Sequence, residues 1–278
     1  ILLGSDNGGT VTPTDGSVTS DKLAYPFVVN EDGAAASDFR VESDSNTHML
    51  FVDAGNNKIG INTSSPDDAL HVKGNLFIED SSPEITLETT NSSHYNWQIA
   101  AQENVANSFE IAVGSADADA SNDSFTSTLL INSTGAVTKP LQPAFLAIIS
   151  STQSDVANGN SITFGTEIYD QNGDFASSTF TAPVTGKYQF NFCVSVTQLP
   201  YDATFSRVFL TTSNRTFGFD IVSEQHFDDA DPSYIAFQGS MLMDMDANDT
   251  ATLNWSQSGG DTQADVFDST YFSGFLAC

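Results

Sequence analysis

Strict alternation of apolar and other residues in the second half of the chain predicts β-strands with one buried face. Between Tyr188 and Val196, every second residue is aromatic or Val, and Gln, Asn, Cys and Ser lie between them. Successive side chains of a strand point to opposite faces of its sheet. The run therefore predicts a strand that covers a core with one face.

The same period of two recurs in Phe217–Ile221, Ile235–Met245 and Ala251–Trp255. Several short strands separated by turn residues are typical of an antiparallel sandwich. The closing run, Tyr271–Leu276, differs because it is apolar at positions that face both ways. Both of its faces must be covered, by loops of its own chain or by other chains.

The first half carries shorter apolar runs separated by turn residues. Phe39–Glu42, Met49–Asp53 and Lys58–Asn62 are strand-like, and Gly55–Asn57 predicts a hairpin between the last two. A second set of short runs, from Pro83 to Val137, repeats this arrangement. Strands this short bury little within one chain, so we expect three chains to wrap around one axis and cover each other's apolar faces.

These patterns predict an all-β protein in three parts. Residues 1–35 form an extended segment rich in Gly, Thr and Ser, residues 36–139 a trimeric β-hairpin shaft or collar, and residues 140–278 a sandwich. The two prolines of Lys139–Pro143 mark the last boundary, because proline stiffens a linker and cannot donate to a sheet.

The net charge of the chain limits the classes of partner that it can bind. The 278 residues include 36 Asp and Glu but only 8 Lys and Arg, a net charge of -28. Such a surface repels phosphate backbones and anionic lipids, so we expect no nucleic-acid partner. An apolar run of about 18 residues is absent, so we expect no membrane insertion. Because Ile1 is not an initiator Met, we expect a further N-terminal part.

Nearly half of the chain, residues 144–278, shares a set of residues with a known family. The set comprises Phe145, Gly173, Phe175, Phe180, Pro183, Gly186, Tyr188, Phe190 and Phe272–Phe275. It resembles the globular head of complement component one-q, a trimeric jelly roll also seen in tumour necrosis factor. The resemblance implies a C-terminal jelly-roll head that binds its targets as a homotrimer and catalyses no reaction.

The same resemblance has consequences for particular residues. It implies a trimer interface that includes Phe145, Tyr188, Phe272 and Phe275. It also places the strand that carries Cys193 beside the final strand, where Cys193 and Cys278 either pair or stay reduced. The animal proteins have a collagen stalk, but no Gly-X-Y repeat occurs here, and a β shaft takes its place.

Two further segments resemble modules of bacteriophage tail fibres. They are Gly16–Ala24 and Ile59–Gly74, and the second module also recurs in bacterial surface proteins. These resemblances imply a homotrimeric tail-fibre subunit, assembled in the host cytoplasm and carried on the virion, that attaches the phage to a host-surface glycan or protein. The missing N-terminal part would bind other tail or capsid proteins. A secreted or surface-anchored bacterial adhesin and a structural capsid or tail decoration fibre stay open as alternatives.

Loops of the head are the candidates for receptor contact, because loops on a rigid sandwich carry recognition. Their aromatic rings can stack on sugars while polar groups bind the hydroxyls. The candidates are Tyr201, Asp202, His226, Phe227, Asp261 and Phe267. The alternative is that these aromatic rings only pack against the sandwich.

No motif requires a cofactor. Asp228, Asp229 and Asp231 are candidates for a calcium ion, since hard cations favour clustered carboxylates, and a solvated acidic turn is the alternative. The four histidines are scattered and none belongs to a nucleophile motif. We therefore assign no catalytic residue and expect a protein that is not an enzyme.

Overall fold

The computed structural model describes residues 38–221 and 233–278. Within these ranges the chain is almost entirely strands and turns, with one 3-10 turn at Ala120–Asn122. No helix in the described ranges is long and apolar enough to cross a membrane. Contacts divide the chain into two compact units between Glu79 and Asp80. The predicted segment 1–35 lies outside the described residues.

A small four-stranded sheet belongs to the first unit. Its strands, in sheet order, are β1 Phe39–Val41, β2 Leu50–Asp53, β3 Lys58–Ile61 and β4 Leu70–Val72. The predicted hairpin is confirmed, because β2 and β3 pair antiparallel with Asp53 opposite Lys58. Asn57 in the turn has a φ of 56°, a left-handed conformation that Asn tolerates well. β4 then joins β3 in parallel.

The second unit begins with a five-stranded meander, which we call the collar sheet. Its strands are β5 Glu84–Leu87, β6 Tyr95–Ala101, β7 Ser108–Ala116, β8 Thr126–Asn132 and β9 Val137–Thr138. Each strand pairs antiparallel with the next. The collar sheet therefore repeats the topology of the first sheet only in part. All of its pairings are antiparallel, whereas the first sheet ends in a parallel pair.

Residues 140–278, the head, form a sandwich of two sheets. The larger sheet contains β10 Ala144–Ile148, β11 Gln153–Ala157, β12 Thr166–Asp170, β15 Gly186–Thr197, β18 Ile235–Met245, β20 Gln263–Val266 and β21 Tyr271–Leu276. The smaller contains β13 Phe175–Ala176, β14 Thr179–Thr181, β16 Phe205–Thr212, β17 Thr216–Ile221 and β19 Thr250–Ser258. β15 lies centrally in the larger sheet, with β18 along one edge and β21 and β20 along the other. The all-β prediction with a C-terminal jelly roll is confirmed.

Aromatic side chains from both sheets fill the head core. Phe145 stacks on Phe175 and Phe180 with ring centroids 4.6 and 5.1 Å apart, and Phe272 meets it edge-on at 5.1 Å. Offset and edge-to-face aromatic pairs of this kind add to the energy of burial itself. The core therefore closes within one chain.

This core corrects the predicted trimer interface. Phe145, Tyr188 and Phe272 are completely buried beneath the opposite sheet of their own chain. The prediction that these three contact another chain is wrong, because they lie at inward positions of the alternation. Phe275 points outward and remains 44% exposed.

The two cysteines are free. Their strands do pair, since β15 and β21 are neighbours, but Cys193 lies opposite Tyr271 near one end of that pairing. At the other end the backbone N–H of Lys187 donates to the carbonyl of Cys278 at 2.7 Å. Six positions of extended strand separate Lys187 from Cys193, about 20 Å, which excludes a bridge.

Candidate interaction surfaces

The outer face of the larger head sheet carries exposed apolar side chains around a polar centre. Phe275, Leu242 and Tyr271 are exposed, at 44%, 50% and 37%. Phe275 and Leu242 lie in one row across the sheet, each opposite Gln189 of β15. We call this surface the head face.

The polar centre of the head face is hydrogen-bonded within itself. Gln189 Nε2 donates to Ser240 Oγ at 2.9 Å, and Ser240 Oγ donates to Asn191 Oδ1 at 2.8 Å. Because these groups satisfy one another, covering them adds little desolvation cost. The head face is thus uncharged at its centre, with Phe275, Leu242 and Tyr271 beside it and the charged positions Lys187 and Asp244 in the row beyond Leu242.

A second surface, which we call the loop depression, lies among the loops at one end of the head and has a volume of about 550 Å³. Its lining residues are mostly acids, amides and hydroxyls: Asp155, Thr197, Gln198, Pro200, Ser233, Tyr234, Asp261, Gln263, Ala264 and Asp265. The three carboxylates are not neutralised by any Lys or Arg of this lining. The depression therefore presents acceptors to a hydroxyl-rich or cationic ligand.

Hydrogen bonds between strands fix the geometry of the loop depression. Asp265 accepts from the backbone N–H of Asp155 at 2.8 Å and from Gln198 Nε2 at 2.9 Å. Asp155 in turn accepts from Gln263 Nε2 at 2.8 Å. Asp155 holds a φ of 55°, an uncommon left-handed backbone that these bonds stabilise. Hydrogen bonds within the chain therefore hold the lining in place.

The structure brings together some of the predicted receptor-binding residues. Asp261 lines the loop depression, and Phe267 packs against Tyr234 of that lining with ring centroids 4.9 Å apart. Tyr201 and Asp202 follow Pro200, another lining residue, and both are exposed.

The loops on either side of the depression touch at a glycine. A Cβ on Gly260 would lie 2.5 Å from Pro200 Cβ and 3.0 Å from Asp202 Oδ1, too close for any side chain. The predicted positions Tyr201, Asp202 and Asp261 therefore belong to one local surface. His226 and Phe227 lie outside the described residues.

Sequence reasoning missed most of the depression's lining. Asp155, Gln198 and Asp265 come from three strands or strand ends that are far apart in the chain, so only the folded sheet brings them together. No sequence pattern indicated Tyr234 as a binding residue, although it directly precedes β18.

The metal prediction stays untested. Asp228, Asp229 and Asp231 lie outside the described residues. In the ranges that the structure does describe, no three His, Cys, Asp or Glu side chains are grouped to hold a metal ion.

The collar sheet has an unusual distribution of buried and exposed side chains. One face consists of three rows across the strands: Leu87, Trp97, Val113 and Thr126; Ile85, Ile99, Ile111 and Leu129; Ala101, Phe109, Ile131 and Val137. Only Thr126 among these residues is polar, and none carries a charge. The larger of these side chains at the outer strands are exposed. We call this surface the collar face.

The opposite side of the collar sheet is buried and mixes polar residues with the apolar Ala100, Ala112 and Leu130. Asn96, Gln98 and Glu110 are almost completely inaccessible there. Loops of the same chain cover them: the backbone N–H groups of Asn104 and Val105 donate to Glu110 Oε1 at 3.1 and 3.0 Å. The collar sheet thus buries a side that includes an ionisable residue and two amides within one chain, and leaves its larger apolar side chains exposed on the other side.

The buried carboxylate of Glu110 is held ionised. Burial alone would raise the pKa of Glu110, but hydrogen bonds from Ser127, Val105, Ser108 and Asn104 outweigh it and hold the pKa below its usual value. Ser108 Oγ donates to Oε1 at 3.0 Å, and Ser127 Oγ donates to Oε2. A carboxylate with this many donors anchors the covering loop.

The similarity to known proteins lies in the head. Residues 144–277 match the family model of the C1q domain. The chain is similar to the globular domain of zebrafish complement 1qA protein, at 21% identity over 49% of this chain and 98% of that chain, with a TM-score of 0.37. It is similar to murine APRIL at 8% identity over 49% of this chain and 98% of that one, with a TM-score of 0.36. The chain matches no curated protein.

The family match agrees with the two-sheet architecture and the aromatic core that the head forms. Domains of this type typically assemble as homotrimers and are generally not enzymes. Residues 144–277 thus form a two-sheet jelly roll and match the family model of the C1q domain.

Proposed function

We propose that the chain is a subunit of a homotrimeric, receptor-binding bacteriophage tail fibre whose head binds a glycan or protein on the host cell surface. The head face is the interface between the three heads. The loop depression is the receptor site, and the virion is the place of action.

The loop depression carries this proposal. It combines carboxylates that no Lys or Arg of the lining neutralises, amides, and the aromatic pair of Tyr234 and Phe267 in one hydrogen-bonded site. Sugar recognition uses this combination, because ring faces pack on aromatic residues while acids and amides accept and donate to the hydroxyls. A trimer presents three such sites in parallel, which raises weak single contacts to a useful avidity.

The N-terminal half supports a fibre. β2 to β4 of the first unit coincide with the Met49–Asp53 to Gly74 stretch whose second part resembles a tail-fibre module. A collar of short strands takes the place of the collagen stalk that the animal proteins carry. A net charge of -28 is compatible with a glycan target and disfavours nucleic acid.

The test is binding of the fluorescently labelled full chain to a panel of bacterial cells and to their purified surface polysaccharides. We expect saturable binding to a subset of the panel. The double variant Asp261→Ala, Tyr234→Ala should weaken that binding at least tenfold. Asp246→Ala is the matched control, because Asp246 is exposed and follows the opposite end of β18 from Tyr234.

Two results would contradict the proposal. One is a chain that binds no cell and no polysaccharide of a panel that includes the natural host. The other is binding that the double variant leaves unchanged.

A further inference from the structure

We propose that the collar face is a second interface between copies of this chain, in which the collar sheets of three chains pack their apolar faces together around the axis set by the heads. This inference rests on the proposed trimer and assigns the collar a direct part in it. The three rows of the collar face are the contact surface.

The distribution of burial carries the inference. In a sheet that covers a core of its own chain, apolar residues lie inward and polar residues outward. The collar sheet departs from this rule for its large side chains, because Trp97 is 41% exposed while its neighbour Gln98 is 3% exposed and shares the buried side with Ala100, Ala112 and Leu130. Loops 103–107 and 117–125 occupy the buried side, where Asn96 Nδ2 donates to Asp117 and Asp123 at 3.1 and 2.9 Å. The chain therefore places its own covering loops on the buried side and keeps the collar face open.

The size of the collar face agrees with a shared interface. Four strands about 4.8 Å apart and three rows about 6.6 Å apart span roughly 400 Å² of sheet. That is about half of what one partner contributes to a standard interface, so the collar face needs the head face beside it.

A short, fixed linker favours another copy over a foreign partner. Only residues 139–143 separate β9 from β10. Side chains of the head hold this linker: Gln171 Nε2 donates to the carbonyls of Lys139 and Gln142 at 2.9 and 2.7 Å, and Asn172 Nδ2 to that of Leu141 at 3.0 Å. Once three heads associate, three collar faces are confined near one another at an effective concentration of about millimolar.

Charge also favours another copy. A chain with a net charge of -28 repels its copies over most of its surface. The collar face is uncharged, and the acids of the same sheet, Glu84 and Glu110, lie in rows of the opposite side. Like charges therefore do not meet when collar faces pack together.

The chain's two tryptophans provide the test. Trp255 is completely buried in the head core, whereas Trp97 lies on the collar face. We would measure quenching of tryptophan fluorescence by acrylamide, a neutral probe, on the full-length chain whose mass is determined in the same buffer. We expect a trimer in which neither tryptophan is readily quenched.

Two neighbouring substitutions form a matched pair for the same measurement. Leu87→Asp places a carboxylate on the collar face opposite Trp97, and Thr86→Asp places one at an exposed position of the same strand on the other side. Leu87→Asp should increase quenching at least threefold with the head still folded by circular dichroism, and Thr86→Asp should match the wild type.

The results distinguish the two proposals. A wild-type trimer in which Trp97 is readily quenched would overturn the collar interface and leave the head trimer standing. A wild-type chain of single-chain mass would overturn both. The wild-type measurement decides even if Leu87→Asp fails to fold.

Discussion

Phe109 and Glu110 are adjacent in β7, yet the carboxylate residue is 0% exposed and the aromatic residue is 44% exposed. The usual order of burial is the reverse, because apolar surface gains most from leaving water and ionised groups lose most. Four hydrogen-bond donors compensate Glu110. In the described part of the single chain, no group covers the Phe109 ring to a similar extent. We therefore propose that its face contacts other copies of the chain.

The first prediction concerns the Glu110 anchor. Glu110→Gln keeps the shape of the side chain but turns an NH₂ group toward donors, so we expect a loss of about 1–3 kcal/mol in the free energy of unfolding at neutral pH. Chemical denaturation followed by circular dichroism measures it. Glu84→Gln, an exposed residue of the same sheet, is the control and should change little.

The same carboxylate predicts a pH dependence. The folded pKa of Glu110 lies below its ordinary value of 4.5, so the folded state binds its proton less readily than the unfolded state. Its stabilisation is therefore fully present above that ordinary value and is lost as pH falls through the lowered pKa. We expect the difference between wild type and Glu110→Gln to shrink when unfolding is measured at progressively more acidic pH. A difference that stays constant into strong acid would contradict an ionised Glu110.

The head core and the head face should respond differently to loss of an aromatic ring. Phe145→Ala removes the ring at the centre of the aromatic cluster and should destabilise the head by about 3–5 kcal/mol. Phe275→Ala removes an outward ring and should leave unfolding of the head itself nearly unchanged. Thermal unfolding of the dissociated chains under dilute conditions compares the two. Equal losses would show that the inward and outward assignments are wrong.

Charge on the head face should weaken association. Phe275→Asp with Leu242→Asp would bring six carboxylates together at the threefold axis, and we expect the dissociation constant of the trimer to rise at least a hundredfold. Thr216→Asp, at an exposed position of the smaller sheet, adds one carboxylate per chain away from the head face and should have no such effect. Analytical ultracentrifugation over a range of concentrations gives the constants.

The cysteines predict a labelling pattern. Cys278 is exposed and Cys193 is buried, so a maleimide should modify one thiol per native chain rapidly and the second only after unfolding. Mass spectrometry counts the adducts. A chain that accepts no label until a reductant is added would contain the disulfide that the structure excludes.

Much of the head could be predicted from the sequence because its strands alternate strictly. β18 and β21 begin and end at the residues that the pattern predicts. The pattern also separates Phe272 from Phe275, but assigning Phe145, Tyr188 and Phe272 to an interface treated inward core positions as surface. Alternation shows which residues share a face, and only the second sheet shows which face is covered.

The loop depression and the collar could be predicted less well. Asp155 and Asp265 are brought together by the pairing of β11 with β20, which no local sequence pattern predicts. In the collar the sequence shows the short apolar runs but not the burial of Glu110, because its hydrogen-bond donors lie in loops whose course depends on the fold. The sequence predicts that partner chains cover the collar, and the proposal that the collar face is the contact surface depends on the fold.

The most direct test of this account is the mass of the full chain by sedimentation equilibrium at low micromolar concentration and near-physiological salt. One chain has a mass of 29.7 kDa, so the account predicts a single species of about 89 kDa. A compact, folded species of 29.7 kDa that persists as concentration rises would contradict it.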